Sequence, residues 1–443
     1  MNRTMKHILL VCLLFWIAGC SEQQPRVISD ADVATSWARL SLYLMKYTPS
    51  NSPTYASRTA GYIGLTMYES VVEGFDTHQS LRDQLNNLDG MPTVDGEICW
   101  PLALNAGQAV ILKEVYRQTS DENKLKIDSL EQYVLSQYQS SVNSVVTDRS
   151  IAYGRAVAMS IAEWAKEDGG HRGYLKNFDK SFKGVVRPGS WKPPLYAQSF
   201  SHHPLHPYWG QNRTFLKENA NLPLPDFIPY DTTEHSPYYQ QFMEVYQQDL
   251  NLTQVEKEIA IWWGDDPDET FTPPGHSFYL ATMALEQSDS DLITSAETYA
   301  RVGMAVADAF INCWKWKFHF FTERPNTFIP TYIDQEWESF WPDPPFPSFP
   351  SGHAIQAAAM ATVLENIFGE SFAFTDSAHV GRARDDIRDV DFKARSFTSF
   401  WDVALETANS RFYGGIHTSQ DNEVGLEEGR RIANHVNQLE WRK

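Results

Sequence analysis

Apolar residues recur every three or four positions over most of this chain, and no other feature limits its possible folds so strongly. The spacing predicts helices in segments that begin at Ala34, Tyr55, Pro101, Ser129, Tyr238, Ser295, Ile355, Phe400 and Glu423. The segment from Ser129 to Gly169 is long enough to require an internal break. The one from Tyr238 turns at Asn251–Thr253, where a threonine can cap a second helix. Strand-like alternation is scarce, so the expected fold class is all-α, built of packed helical bundles with long irregular loops. From about Gly169 to Thr232 the pattern gives way to proline, glycine and aromatic residues. A connection of that length is uncommon without a role, and it is expected to line a pocket entrance or to wrap the body. A second irregular segment runs from Arg324 to Pro350.

Hydrophobic residues make up 42% of the 443 positions, enough for a substantial core. The formal net charge of −19 sets nucleic acid aside as a partner, because a polyanion is repelled. Any anion site must therefore be built locally, against the overall field. At the N-terminus, Arg3 and Lys6 precede a short apolar run that ends in Ala18-Gly19-Cys20. That run is too short to span a bilayer well. It resembles a bacterial lipoprotein signal, which implies removal of residues 1–19 and a lipid anchor on Cys20. The expected protein is then an exported bacterial lipoprotein on the periplasmic face of the outer membrane or at the cell surface. The expected organisation is signal 1–19, linker 20–30, an N-terminal helical region 31–230, and a catalytic helical region 231–443 that packs with it as one body. Cys99 and Cys313 could pair, but Cys313 lies in a helical pattern and reads as a buried thiol.

Three polar clusters carry the chemistry. In "WKWKFHFFTERP", Lys317 ends a helix and Arg324 follows a short step later, so both can face one anion. In "PPFPSFPSGH", prolines stiffen the backbone ahead of Ser351, Gly352 and His353. A helix beginning there offers free N–H groups, glycine lets a ligand approach the main chain, and His353 lies on the first turn. In "NSRFYGGIHTSQD", Arg411 supplies a permanently charged planar donor set. His417 follows the Gly414-Gly415 break, and Asp421, one helical turn on, can fix its tautomer. Together one lysine, two arginines, a hydroxyl and a backbone N–H would cradle a tetrahedral oxyanion, and phosphate or vanadate suits them equally.

The three clusters resemble the family that unites vanadium-dependent haloperoxidases with type 2 phosphatidic acid phosphatases and bacterial acid phosphatases. Its pattern is Lys, six residues, Arg-Pro; then Pro-Ser-Gly-His; then Ser-Arg, five residues, His, three residues, Asp, and all three parts are complete here. The resemblance implies that Lys317, Arg324, Ser351, Gly352 and Arg411 hold the oxyanion, that His417 is its ligand, and that His353 moves protons. Lys317 and Asp421 join the two histidines in the implied catalytic set. Chain length and the text around "TPPGHSFYLATMAL" are similar to the bacterial haloperoxidase branch. That branch implies a vanadate cofactor, hydrogen peroxide and halide (iodide or bromide) as substrates, and an organic acceptor. Trp314 and Phe346 look like aromatic residues flanking the vanadate, and His276 is a further pocket candidate. His319, near Lys317, and Asp308, a candidate partner for an arginine, are open either way. Two alternatives stand. With phosphate in place of vanadate, the same residues make a phosphatase whose nucleophile is His417. A non-enzymatic surface lipoprotein would instead use the aromatic-rich middle segment for binding.

Overall fold

The structure, a computed structural model, describes residues 28–199 and 201–443. The expected signal segment, Cys20 and most of the 20–30 linker therefore lie outside the described residues. In chain order the helices are α1 Asp30–Tyr47, α2 Pro53–Glu69, α3 Trp100–Val115, α4 Asp121–Tyr138, α5 Ser144–Lys166, α6 Pro237–Leu250 and α7 Gln254–Trp262. They continue with α8 Thr272–Gln287, α9 Leu292–Phe320, α10 Pro325–Tyr332, α11 Gly352–Phe368, α12 Phe400–Tyr413 and α13 Ser419–Asn437. A small antiparallel ribbon pairs β1 Phe374–Asp376 with β2 Arg395–Phe397. The fold is thus predominantly helical, as the spacing predicts. Both expected breaks are present. Asn143 caps α5 by accepting from Val146 N–H, and Thr253 forms a capping box with Glu256 at the start of α7.

Three elements differ from expectation. α8 is not among the predicted helices; it begins with Thr272-Pro273-Pro274-Gly275, and prolines in the first turn forfeit only N–H groups that have no partner in a helix anyway. α4 starts at Asp121 and not near Ser129, because its first turns are largely polar and carry little periodicity. α10 lies inside the segment expected to be irregular.

Helix α9 organises the body. From Leu292 to Trp314 every residue except Thr294 is buried, which marks a central helix surrounded on all sides. Its 29 residues span about 43 Å. α2 crosses it closely: a Cβ on Gly64 would overlap the Tyr299 carbonyl, and one on Gly303 the Ala60 carbonyl. α13 lies as tightly on α11, with Gly429 against the Ile355 carbonyl and Gly425 against that of Ser351. The start of α11 is thereby fixed relative to α13. Side chains from every helix except α6 and α10 share one main apolar core, and those two pack together in a second cluster around Phe242 and Phe328.

The irregular middle stretch both wraps the body and lines a cavity. Asp308 on α9 pins it, accepting from Phe215 N–H at 2.7 Å, Leu216 N–H at 3.2 Å and the Asn219 amide at 2.9 Å. Asp308 is therefore an anchor for this loop and not a partner for an arginine. Cys99 and Cys313 are both free thiols, and Cys313 is buried. No helix among the described residues is long and apolar enough to cross a membrane.

Candidate oxyanion site

Four segments converge on one point: the C-terminal turn of α9, the proline arm before α11, the last turn of α12 and the entry to α13. Lys317 occupies the last turn of α9, where a cation also suits the helix dipole. Its Nζ donates to the Pro347 carbonyl at 2.9 Å and to the Ser348 carbonyl. Arg324, the N-cap of α10, donates from Nε to Phe346 O at 2.9 Å and from Nη1 to Ile416 O at 2.7 Å. Arg411, on the last turn of α12, donates to Trp263 O at 3.4 Å, while its buried Nε has no partner.

The proline arm thus does more than stiffen the chain. Prolines interrupt its N–H groups, and the carbonyls of residues 346–348 turn inward to grip Lys317 and Arg324. These acceptors are neutral. No carboxylate pairs with Lys317, Arg324 or Arg411 among the described residues. Burial pushes Lys317 down to about 7, with Arg324 adding to the effect, and burial lowers Arg411 to about 10. Asp343, Asp421 and Asp266 act on these groups only from beyond ion-pair contact, so three buried basic groups held by neutral carbonyls favour a bound anion.

Ser351 caps α11, its side chain accepting from Ala354 N–H, and its own N–H donates to Asp421 O at 2.9 Å. Gly352 opens the helix. A Cβ there would meet the Trp314 ring at 3.6 Å and Lys317 Cε at 4.0 Å, so it would fit sterically yet take up space beside the lysine. His353, one residue on, is half-buried, and its Nε2 is a buried atom with no partner. Burial first, then Arg411, holds its ring well below the usual histidine range, so it is neutral.

His417 lies just ahead of Thr418, the N-cap of α13, and Gly415 makes the preceding turn with φ of 71°. The ring donates from Nδ1 to Asp421 Oδ2 at 2.7 Å. Its Nε2 faces Arg324 Nη1 at 3.5 Å and so points toward the cations. Burial, reinforced by Arg324, Lys317 and Arg411, keeps it neutral. Asp421 also completes the capping box of α13 with Thr418. Ser348, which sequence reasoning missed, donates to the same carboxylate oxygen at 2.5 Å and lies 3.2 Å from His417 Nδ1.

Trp314 and Phe346 pack against each other with centroids 4.9 Å apart and planes tilted by 51°, and Lys317 Nζ lies 5.3 Å from the Phe346 ring. Beyond them a cavity of about 440 Å³ leads outward, lined among others by Phe346, His353, Arg411, Asp266, Leu205 and Phe178. His276 does not face this cavity; it is enclosed behind the loop that follows α7. His319 is exposed, its ring against Phe320. The loop itself, Trp263–Glu269, was also missed, although its carboxylate run "GDDPDE" between two helical patterns was a visible signal.

A donor set of this kind fits a tetrahedral oxyanion. Arg411 and His353, each with an unpartnered buried nitrogen, line the same cavity, and Gly352 lies beside Lys317.

Comparison with known proteins bears on the family and the fold. A family model described as the second helical-bundle domain of VCPO matches residues 297–442, which contain the full donor set. Among solved structures, the chain is similar to that of the first bacterial vanadium-dependent iodoperoxidase. The identity is 30%, 95% of this chain and 98% of that one are covered, and the TM-score is 0.81. It shares its fold with a bacterial vanadium-dependent chloroperoxidase in holo form, at 15% identity, 94% coverage of each chain and a TM-score of 0.65. The apo form gives 14% identity and the same TM-score. No curated protein matches.

Proposed function

The chain belongs to the vanadium-dependent haloperoxidase family, and from that membership we propose that it uses hydrogen peroxide to oxidise halide to hypohalous acid at a histidine-bound vanadate. Iodide, the halide most easily oxidised, is the minimal substrate, and bromide comes next. One observation carries the reading: three buried basic groups, held only by neutral acceptors, lie around a neutral histidine whose Nε2 faces Arg324 Nη1 at 3.5 Å.

In this reading Lys317, Arg324 and Arg411 neutralise the oxygens of vanadate, joined by the Ser351 hydroxyl and the Gly352 N–H. His417 is the ligand. Its Nδ1–H is committed to Asp421, which leaves the Nε2 lone pair for the metal and raises its basicity. When bound, pentavalent vanadium supplies Lewis acidity that activates peroxide without changing its own oxidation state. His353, neutral and unpartnered at Nε2, can accept a proton from incoming peroxide and return it to a leaving oxygen. Lys317 would place positive charge beside the oxygens of the bound group. Trp314 and Phe346 form an apolar wall that excludes water from that side.

Loading the anion-free protein with vanadate and following halide oxidation by peroxide tests the proposal. Turnover that requires vanadate and is lost in His417→Ala is the expected result. Absence of turnover with iodide, bromide and chloride, together with phosphate-ester hydrolysis and a phosphohistidine at His417, would place the chain with the phosphatases that share this cage. Export and lipidation at Cys20 are also part of the proposal, supported by Arg3, Lys6 and the run ending at Cys20. The mass of the mature N-terminus from a bacterial host tests them, and an unprocessed or unlipidated chain would refute them.

A further inference from the structure

Behind the cavity wall lies a buried cluster that the reaction above does not use. His276 on α8 donates from Nδ1 to Asp265 Oδ2 at 2.8 Å and from Nε2 to Asp376 Oδ2 at 2.9 Å. His379 donates to the other oxygen of Asp265 at 2.9 Å. Asp376, on β1, also accepts from Trp262 Nε1 at 2.8 Å and from Ala378 N–H at 2.9 Å. All four residues are at most 2% exposed.

The ligand atoms of Asp265, His276 and His379 lie within 4.8 Å of one another, close enough to suggest a metal site. The pattern of hydrogen bonds favours a proton instead. Both ring nitrogens of His276 bond to carboxylates, and a neutral imidazole has only one N–H to donate. A doubly protonated ring satisfies both bonds and offsets one carboxylate charge. Burial opposes that charge, but Asp265 and then Asp376 raise His276 to about 10.

The cluster acts on the oxyanion site through the chain of Asp265. This residue takes a left-handed conformation, φ 48°, that a non-glycine residue keeps only when its surroundings hold it. His276 and His379 clamp its carboxylate from two sides. Gly264, next in the chain, is wedged against the Trp341 ring, where a Cβ would lie 2.9 Å from a ring carbon. The same short segment presents three groups to the site. The Gly264 carbonyl faces the His353 ring as an acceptor, the Trp263 carbonyl accepts from Arg411, and Asp266 lines the cavity beside Arg411.

We infer that His276, as an imidazolium bridging Asp265 and Asp376, is a positioning residue that fixes the Trp263–Asp266 segment and thereby the orientation and proton affinity of His353. This rests on the peroxidase reading only for the task of His353; the geometry of the cluster stands without it. The charged and titratable groups facing His353 are Arg411 from α12, Asp265 from the loop and His417 ahead of α13. Of these Asp265 alone favours the protonated ring, and the Gly264 carbonyl acts in the same direction. Loosening the segment therefore lowers the proton affinity of His353.

The test begins with the unaltered, vanadate-free protein, labelled with nitrogen-15 in histidine. The His276 ring is expected to carry both protons throughout neutral pH. A neutral ring overturns the proposal, as does a bound divalent metal found at one equivalent per chain by elemental analysis. Asp376→Asn and His276→Gln are then compared with the parent. The expected change is a shift of the His353 titration midpoint to lower pH. In the vanadate-loaded protein, the pH profile of iodide oxidation moves in the same direction, and vanadate affinity stays within about threefold of the parent. Folded variants with the parental midpoint and profile overturn the proposal. Because the ring measurements need neither vanadate nor turnover, failure of the peroxidase reading leaves their outcome intact.

Discussion

Replacing Asp421 with Asn removes one charge at nearly constant shape and so isolates what holds His417 in place. The carboxylate oxygen Oδ2 receives His417 Nδ1 at 2.7 Å, Ser348 Oγ at 2.5 Å and Thr418 N–H at 3.3 Å. An amide has one acceptor oxygen and no charge, so the imidazole loses a charge-assisted bond worth about 1.5–3 kcal/mol. That bond keeps Nδ1 protonated and Nε2 bare, and the free energy lost should appear in anion binding. Partners of this kind cost about 10–100-fold in affinity when removed, or about 1.4–2.7 kcal/mol, in line with the first figure. The capping box of α13 also weakens, by about 1 kcal/mol. Calorimetric titration of vanadate into Asp421→Asn should therefore show a dissociation constant raised about 10–100-fold, with only a modest loss of thermal stability. A folded variant that binds vanadate as tightly as the parent would refute the reasoning.

Other perturbations give separate outcomes. Gly352→Ala places a methyl group 3.6 Å from Trp314 and 4.0 Å from Lys317 Cε without a clash, so thermal stability should barely change while vanadate affinity drops. Vanadate titration and a melting curve on the same sample check both halves. For Lys317, the folded protein free of anion has its pKa lowered to about 7 from the ordinary 10.5. Between those limits the unfolded chain binds a proton that the folded chain does not, so the penalty on folding fades as pH rises. Denaturant titrations should show the stability of the parent relative to Lys317→Met rising between about pH 7 and 10.5, by at most about 1.4 kcal/mol per unit. A flat difference would show that Lys317 keeps its ordinary proton affinity in the folded protein and would refute the lowering. Asp308→Ala strips the acceptor from two backbone N–H groups and the Asn219 amide, each worth about 1–3 kcal/mol. Melting curves should fall sharply, with vanadate affinity in the folded fraction little changed.

How far the sequence could be read depended on where each signal lay. The oxyanion donors announced themselves because their spacing is local. Lys317 to Arg324, Ser351 to His353 and Arg411 to Asp421 each lie within a turn or two of one helix end, and the structure brings them together. The long helices were legible for the same reason, since their periodicity is a property of neighbouring residues. α8 was hidden by prolines whose cost vanishes at a helix start, and α4 by its polar opening turns. Contacts between distant segments left no local trace. Asp308 looks like a surface carboxylate on its helix, and its partners come from a loop about ninety residues earlier that has no periodicity. The partners of His276 are 11 and 100 residues away, so it could be flagged as a pocket candidate but not placed behind the wall. Ser348 was within the quoted proline arm. Only the fold shows that its hydroxyl meets the His417–Asp421 pair.

The central claim is that one cage, formed by three separated clusters, holds vanadate through His417. A crystal structure of the vanadate-loaded protein, with anomalous scattering collected at the vanadium edge, tests it most directly. The expected peak lies at bonding distance from His417 Nε2, with Lys317, Arg324, Arg411 and the start of α11 around its oxygens. A peak among Asp265, His276 and His379, or none in the cage at saturating vanadate, would contradict it.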